Sequence, residues 1–592
     1  MSFVDSMNRF AGGDAPERRL GTRGVRRGVV YVCCAAAAAV LVWRAFDLQL
    51  NQGAFLQGQG VARHERVVAM PTYRGRVLDR HGSPLAVSAA VESVWAIPGV
   101  LWNQQAHWPA LAKRLELSPE DVKQVVKQKA ESGRQFVYLR RHMIPERADE
   151  VMALGLEGVR TLREYRRYYP AAEVAAQVLG FTNIDDAGQE GLELAFESWL
   201  SAEPGQRRVI KDRLGHMVGD LGVERAPRPG RDLRLSLDLR IQYLAYRELK
   251  AAVEKHRAIG GMAVVVDPNS GELLAVVNQP SFNPNDRSRF KADTSRNRVF
   301  TDLFEPGSLI KPLTVLAALG SGEFRPDTEV DTTPGFYSVS GKSIKDLRNY
   351  GKIDVAGVIT HSSNVGAGKL ALAMDKAHFA RTLRNAGLGD RTGSGFPGEL
   401  PGLLRPWETW RPIEQATQSY GYGLSVTAAQ MVRAYALLAA DGVLRPLTFL
   451  RTDEPAAGER RFPADDVRRV RAMMETVVGP EGTGQWARVP GYEVAGKTGT
   501  VHKNIDGAYA EDRYVALFAG MAPARNPRLV MVVMLDEPAA GEYFGGRVAA
   551  PVFARVMAGA LRLLNVAPTR QAEPGPFRPP LMAHAASTEA RL

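Results

Sequence analysis

Serine and lysine stand three residues apart twice in this chain, as Ser288 with Lys291 and as Ser308 with Lys311. Such a pair can do acyl chemistry: a serine hydroxyl is a weak nucleophile until a base lies in reach, and a lysine that has lost its proton is such a base. The spacing is cheap, so the surroundings must choose between the two. Ser288 lies in N-D-R-S-R-F-K, a polar stretch with no apolar run to enclose a site. Ser308 lies in F-E-P-G-S-L-I-K-P and opens the apolar run T-V-L-A-A-L. Pro312 fits a helix only within its first turn, which places Ser308 at or near the N-cap. Residues i and i+3 share a helix face, so the Lys311 amine reaches the Ser308 hydroxyl. The positive helix terminus favours an alkoxide over a second ammonium, and a partly dry cleft eases the lysine's loss of its proton. The bland alternative is a polar helix start followed by a solvated lysine.

Two further patterns follow downstream. Beyond the N-terminal tail, S-x-N occurs at Ser281, Ser295 and Ser362, and only the last, in T-H-S-S-N-V-G-A-G-K-L-A, opens an apolar helix from which Ser362 and Asn364 can project into a cleft. Its bland reading is simple N-capping. K-T-G occurs once, as Lys497, Thr498 and Gly499 in V-A-G-K-T-G-T-V, with a near-decoy, R-T-G, at 391–393. The copy at 497 ends a strand-like run, where small residues let a substrate backbone approach as an added strand. Its alternative is an ordinary strand exit. No G-x-S-x-G elbow is present, which argues against an α/β-hydrolase.

The elements that must position these residues can be traced from period and turn chemistry. G-M-A-V-V-V-D-P-N-S-G-E-L-L-A-V-V-N reads as a hairpin, and residues 513–523 with 528–536 as a second strand pair. Helical patterns over 311–319, 364–374 and 427–440 lie between them. Two hairpins bracketing a helical block fit one sheet closed by sequence-distant strands, an α/β domain over 231–565. Upstream, residues 51–230 form a charged, mixed scaffold. It contains a hairpin at 74–86, helices over 108–131 started by S-P-E-D, and one amphipathic helix over the run D-A-G-Q-E-G-L-E-L-A-F-E-S-W-L. Residues 566–592 are rich in Pro, Ala and Arg and read as disordered.

At the other end, residues 28–43 carry no charge, after Arg18, Arg19, Arg23, Arg26 and Arg27. A helix of that length spans about 24 Å, and extending it through A-F-D-L-Q-L to residue 50 lets it cross a bilayer. The positive-inside rule then puts residues 1–27 in the cytoplasm and the rest outside. V-L-V-W continues the apolar run past the alanines, which favours an uncleaved anchor over a signal peptide. The 76 basic against 64 acidic residues give a net charge of +12. No nucleic-acid-binding motif accompanies that charge, so it reads as a basic tail and a surface facing an anionic membrane or polymer. The two cysteines, Cys33 and Cys34, are adjacent and form no framework, and no metal-ligand spacing appears. No cofactor, metal or nucleic-acid partner is expected.

In the order S-x-x-K, S-x-N, K-T-G, the three patterns match the set shared by penicillin-binding proteins and class A β-lactamases. The chain resembles the class B penicillin-binding proteins, the monofunctional peptidoglycan D,D-transpeptidases, over nearly its whole extramembrane part. R-G-R-V-L-D-R-H-G-S-P-L-A and G-Q-E-G-L-E-L-A-F-E look like the family's pedestal motifs. P-S-F-N-P-N, F-E-P-G-S-L-I-K-P, S-S-N-V-G, Y-G-Y-G-L, G-K-T-G-T and E-Y-F-G-G look like those of its catalytic domain. Among the subtypes it is similar to the septal, cell-division enzyme. In E-Y-F-G-G, Phe544 replaces the more usual second tyrosine after Tyr543.

The resemblance implies a transpeptidase fold with a central antiparallel sheet flanked by helices, a pedestal (dimerisation-type) domain and one transmembrane helix. It implies that Lys311 takes the proton of Ser308, which attacks a stem peptide ending in D-Ala-D-Ala. Ser362 relays a proton to the leaving D-alanine and Asn364 orients the amide. Lys497, Thr498 and Thr500 hold the terminal carboxylate beside Gly499, the backbone N–H groups of Ser308 and Thr500 form the oxyanion hole, and Tyr543 lines the groove. A β-lactam acylates the same serine. A septal glycosyltransferase and other divisome proteins are the implied partners. The rivals are an elongation-type transpeptidase, a D,D-carboxypeptidase or β-lactamase, and a catalytically silent divisome scaffold or β-lactam sensor. A β-lactamase of class A needs a glutamate downstream of S-x-N, where Glu399 and Glu408 are the available acids.

Overall fold

The computed structural model describes residues 22–52, 65–211, 217–288, 290–505 and 507–570. The chain divides into two units, Met1–Met70 with Gly205–Ala226, and Pro71–Pro204 with Pro227–Leu592. In the first, α1 (Thr22–Phe46) starts ahead of the uncharged run and continues as a π-helical turn, Asp47–Asn51. From Gly24 to Asn51 it is long and apolar enough to cross a membrane and is not buried in protein. The same unit holds a three-stranded antiparallel sheet of Glu65–Met70, Gly205–Lys211 and Met217–Arg225, in that order. Most residues expected of the tail before residue 28 lie outside the described residues.

The second unit begins with the rest of the pedestal. The expected hairpin is present: Val77–Leu78 pairs with the start of β1 (Pro84–Ala96). Strand β1 also pairs with β2 (Val137–Met143) and β3 (Val159–Tyr168). Two helices, Trp108–Leu115 and Pro119–Glu131, close this sheet over a small core that includes Val94, Leu111, Val122 and Val126. Ser118 caps the second of them in a reciprocal capping box with Asp121, as S-P-E-D predicts.

The single helix expected before residue 200 is instead two short pieces, Gly191–Ala195 and Glu197–Leu200, broken at Phe196. The tertiary contacts explain the break. Gly191 has φ +61° and lies so close to the Val178 carbonyl that a Cβ would stand 2.6 Å from it. Glu193 is not a surface residue of an amphipathic helix but a fully buried carboxylate, bonded to Arg74 and Arg167 at 2.7 Å each. The apolar cluster is continuous across this junction: Leu179, Leu192 and Leu200 share it with Leu313 and Met431.

The part of the chain after residue 238 is built on one antiparallel sheet. Helix α2 (Leu239–Lys255) precedes β4 (Gly260–Val266) and β5 (Leu273–Gln279). Late in the chain come β6 (Ala495–Ile505), β7 (Ala508–Ala522) and β8 (Leu529–Asp536). The order is β5-β4-β8-β7-β6, so β8 joins β4 across the whole helical block and β6 is left at an edge. Every residue of β4 and β5 is buried, and their alternating side chains serve two layers. Ala263 and Val265 face α2 and the terminal helix Ala550–Leu563. Val264 and Val266 face the layer that contains α3 (Lys311–Gly320) and the helix Ala428–Ala439.

The tail is ordered further than expected. The Tyr492 hydroxyl donates to the Val566 carbonyl at 2.6 Å, and the N–H groups of Thr569 and Arg570 donate to the Gly491 carbonyl. The rest of the expected disordered segment, 571–592, lies outside the described residues.

Candidate active site

Ser308 is not the cap of its helix. It is the second residue of a 3₁₀ turn, Gly307–Ile310, with Pro306 in the cap position, and the turn runs straight into α3. Pro312 is the second residue of α3, where its missing N–H costs nothing. The Pro-Gly entry has a steric reason. Gly307 has φ +53°, and a Cβ there would stand 2.4 Å from Cγ2 of Val501 on β6. The glycine thus lets the turn that carries Ser308 press against the edge strand. Y-G-Y-G-L is stitched to the same turn: Gly307 N–H donates to the Gly421 carbonyl, and Gly423 N–H donates to Glu305 at 2.8 Å.

Lys311 is fully buried among apolar residues, yet its Nζ meets four oxygens. Ser308 Oγ lies at 2.9 Å, the Ser362 carbonyl at 2.6 Å, Ser362 Oγ at 3.1 Å and Asn364 Oδ1 at 2.8 Å. No carboxylate bonds it among the described residues. Burial therefore pushes the ammonium down to about 7, against a weaker opposing pull from Asp346. A neutral amine has two protons and one lone pair. The Ser362 carbonyl and Asn364 Oδ1 are acceptors only, so they take the two protons and leave the lone pair for the Ser308 O–H.

Ser362 owes its position to a strained backbone. Its φ of +60° is the left-handed conformation, which side chains other than glycine adopt mainly where surrounding structure enforces it. That conformation turns both its carbonyl and its hydroxyl towards Lys311. The N-capping role falls to its neighbour: Ser363 Oγ accepts from Gly366 N–H at 2.8 Å and starts α4 (Asn364–Ala373). Ser362 Oγ is free to donate to Ser308 Oγ at 2.9 Å and to accept from Lys497 Nζ at 2.9 Å.

Lys497, also fully buried, donates to Ser362 Oγ and to the Thr498 carbonyl. Burial, and then the nearby Lys311, push its ammonium well down. Two lysines sharing one hydroxyl cannot both be charged cheaply. The K-T-G lies inside β6 rather than at a strand exit, and β6 continues to Ile505. Because β6 is an edge strand, one row of its backbone groups is open to an added strand. Thr498 Oγ1 pairs with Thr483 Oγ1 at 2.6 Å, and Thr500 Oγ1 accepts from Gly545 N–H at 3.0 Å. Thr500 therefore keeps its own hydroxyl proton to give. Gly499 packs its backbone on Leu517. Tyr543 stacks between Tyr514 (4.1 Å) and the exposed Phe544 (4.6 Å), close to the Thr500–Gly545 contact.

All three patterns thus converge, and the rival copies do not. Ser288 is exposed in an Asx turn, its N–H bonded to Asp286. Thr392 of the R-T-G decoy is buried against Glu399. Glu399 is consumed by its own loop, accepting from Thr392 and Ser394, and Glu408 is exposed. Neither joins the lysine–serine cluster. Sequence reasoning missed Asp346. Its carboxylate accepts from Ser363 Oγ and from the N–H groups of Asn364 and Val365, while the Lys345 carbonyl holds the Asn364 amide at 3.0 Å. K-D-L-R-N-Y carries no pattern that would mark it, because its partners are on another element.

Known proteins share this architecture. The penicillin-binding protein transpeptidase domain matches residues 261–558, and the penicillin-binding protein dimerisation domain matches residues 69–235. The chain is 42% identical to the probable peptidoglycan D,D-transpeptidase PenA of Neisseria gonorrhoeae, over 93% of this chain and 94% of that one. It is 42% identical to the peptidoglycan D,D-transpeptidase FtsI of Escherichia coli K12, over 90% and 91%. Among solved structures, the transpeptidase domain of Burkholderia pseudomallei penicillin-binding protein 3 matches with a TM-score of 0.53 and 46% identity, covering 57% of this chain and 98% of that one.

Proposed function

The chain belongs to the penicillin-binding protein transpeptidase family, and from that premise we propose that it crosslinks peptidoglycan at the division septum through an acyl-enzyme on Ser308. One observation carries the assignment of the nucleophile: a buried lysine amine without a carboxylate partner, 2.9 Å from Ser308 Oγ, with both its protons claimed by acceptor-only groups. Lys311 accepts the Ser308 proton, and Oγ attacks the carbonyl of the penultimate D-alanine. The oxyanion is met by the N–H groups of Ser308 and Thr500, each worth about 10²- to 10³-fold in acyl transfer. Ser362, linking Ser308 to Lys497, passes a proton to the leaving amine, and D-alanine departs. Asn364 orients the peptide amide. Lys497, Thr498 and Thr500 hold the terminal carboxylate, whose charge restores the proton on Lys497. Tyr543 forms a wall of the groove beside β6. An amine of a second strand then attacks the acyl-enzyme and regenerates Ser308. A β-lactam enters by the same first step.

The engagement of Glu399 in its own loop supports an amine rather than water as the acceptor. In this reading 28–50 is a membrane anchor with residues 1–27 cytoplasmic, 51–230 the pedestal and 231–565 the periplasmic transpeptidase. A septal glycosyltransferase and divisome proteins act beside it. Labelling with a fluorescent penicillin tests the chemistry: wild type must label and Ser308→Ala must not. Wild type that fails to label would sink the enzyme reading. Depletion tests the septal role, since filamenting cells support it and rounding cells point to elongation.

A further inference from the structure

Away from the cleft, a cavity of about 680 Å³ opens where the pedestal strands β2 and β3 meet the loop after β5. Its wall carries six arginines against two carboxylates, Glu116 and Asp186. Three of the arginines are matched: Arg141 by Glu164 and Asp185, and Arg140 and Arg147 by Glu116. The other three are not fully used. Arg166 donates to the Asn285 carbonyl at 3.3 Å, and Arg287 lies over the Phe181 ring at 4.9 Å; neither has an ion-pair partner among the described residues. Arg167 is 6% exposed, and its Nε and Nη1 are held by Glu193 and the Gly75 carbonyl. Its Nη2 has no hydrogen-bond partner among the described residues, and neither has Oδ1 of Asp186 on the same wall. Buried donors are rarely left empty, and a guanidinium fork is shaped for a carboxylate.

We propose that this cavity is a second, non-reacting site that binds the carboxylates of a peptidoglycan stem peptide. The ligand class rests on the proposed function above. The size suits it: ~300–1,000 Å³ encloses a drug-sized ligand, a few residues of peptide rather than a folded segment. The lining suits it too, because Met143, Ile144 and Pro284 offer apolar contact beside the unpaired Arg166 and Arg287 and the open Nη2 of Arg167. Inorganic phosphate would leave most of the space unfilled.

The test uses the full chain in detergent, acylated beforehand with benzylpenicillin so that the cleft is closed. A fluorescein-labelled synthetic stem peptide ending in D-Ala-D-Ala is titrated in and followed by anisotropy. Saturable binding is expected, about tenfold or more weaker in the double variant Arg166→Gln/Arg287→Gln and for a peptide with its carboxylates amidated. No saturable binding, or equal binding by the double variant, overturns the proposal. So does displacement by phosphate or by a poly-glutamate peptide as strong as by unlabelled stem peptide, which would mark a general anion site or a docking site for an acidic protein segment. Penicillin acylation of the same samples reports folding and separates the two readings. Normal acylation without peptide binding removes only the cavity. Failed acylation removes the cleft assignment, and the titration is then run on the unacylated chain.

Discussion

At the pedestal junction, Arg74 and Glu193 are 2% and 0% exposed; in the cleft, Lys311 and Lys497 are both 0% exposed. The junction matches its charges. Glu193 bonds Arg74 through one oxygen and Arg167 through the other, and Arg74 reaches Glu197 as well. The cleft leaves its charges unmatched, offering the lysines only hydroxyl, amide and carbonyl oxygens. A paired buried charge fixes geometry, and removing one partner is expensive. An unpaired buried lysine gives up its proton instead, and a neutral amine is what a base must be. The same burial therefore serves rigidity in one region and, under the proposed function, reactivity in the other.

The most severe way to break this comparison is at the cleft. Lys311→Met should lower penicillin acylation by about 10⁴-fold or more, because nucleophile and base act as a unit. It should leave Tm unchanged or raised, because a desolvated amine has been removed. Stopped-flow acylation and calorimetry report the two, and a large fall in Tm would mean that Lys311 holds the fold as Glu193 does. Glu193→Ala should do the reverse, costing about 3–5 kcal/mol by stranding Arg167 and leaving Arg74 only Glu197. Denaturant titration measures that cost, and acylation by the fraction still folded should persist.

Smaller effects sharpen the roles inside the cleft. Lys497→Ala should weaken carboxylate-bearing β-lactams by about 10- to 100-fold, the worth of a charged hydrogen bond, and neutral analogues less. Equal losses would remove the clamp. The acylation rate should rise with pH through about 7, since Lys311 is a base only when deprotonated and burial holds it near that value. The stability sign agrees. An unfolded lysine stays protonated up to roughly 10.4, so between about 7 and that value the unfolded state holds the extra proton and this group's contribution grows with pH. Asp346 opposes that depression, so Asp346→Asn should move the acylation midpoint to lower pH, with less than about a tenfold change in the plateau. A midpoint that stays put would leave Asp346 only its bonds to Ser363, Asn364 and Val365.

Much of this was legible in short stretches. The hairpins around β4 and β5 and around β7 and β8, the capping box at Ser118, and the turn entering α3 are all local, and they read correctly because neighbours in sequence determine them. The run over 186–200 did not, because Glu193 is drawn inside by Arg167 of β3 and by Arg74 of the segment before Val77. Ser308 is expected at or near a helix N-cap, and N-capping is the bland alternative for Ser362, but Pro306 caps the 3₁₀ turn and Ser363 caps α4. Hydroxyls spent on capping would have been occupied, and the backbone around each instead leaves the Ser308 and Ser362 hydroxyls to meet Lys311.

The sequence by itself determined the inventory: one S-x-x-K and one S-x-N that each open an apolar helix, one K-T-G, an apolar N-terminal helix, and no metal or disulfide chemistry in its patterns. These are properties of composition and period, which act over a few residues. Only the tertiary structure decided that Lys311 is dry and uncompensated, that Ser362 takes a left-handed turn to meet it, and that Asp346 and Glu399 act as anchors. Those outcomes depend on burial and on partners distant in the chain, and the field that sets a lysine's proton affinity exists only after the chain has folded around it.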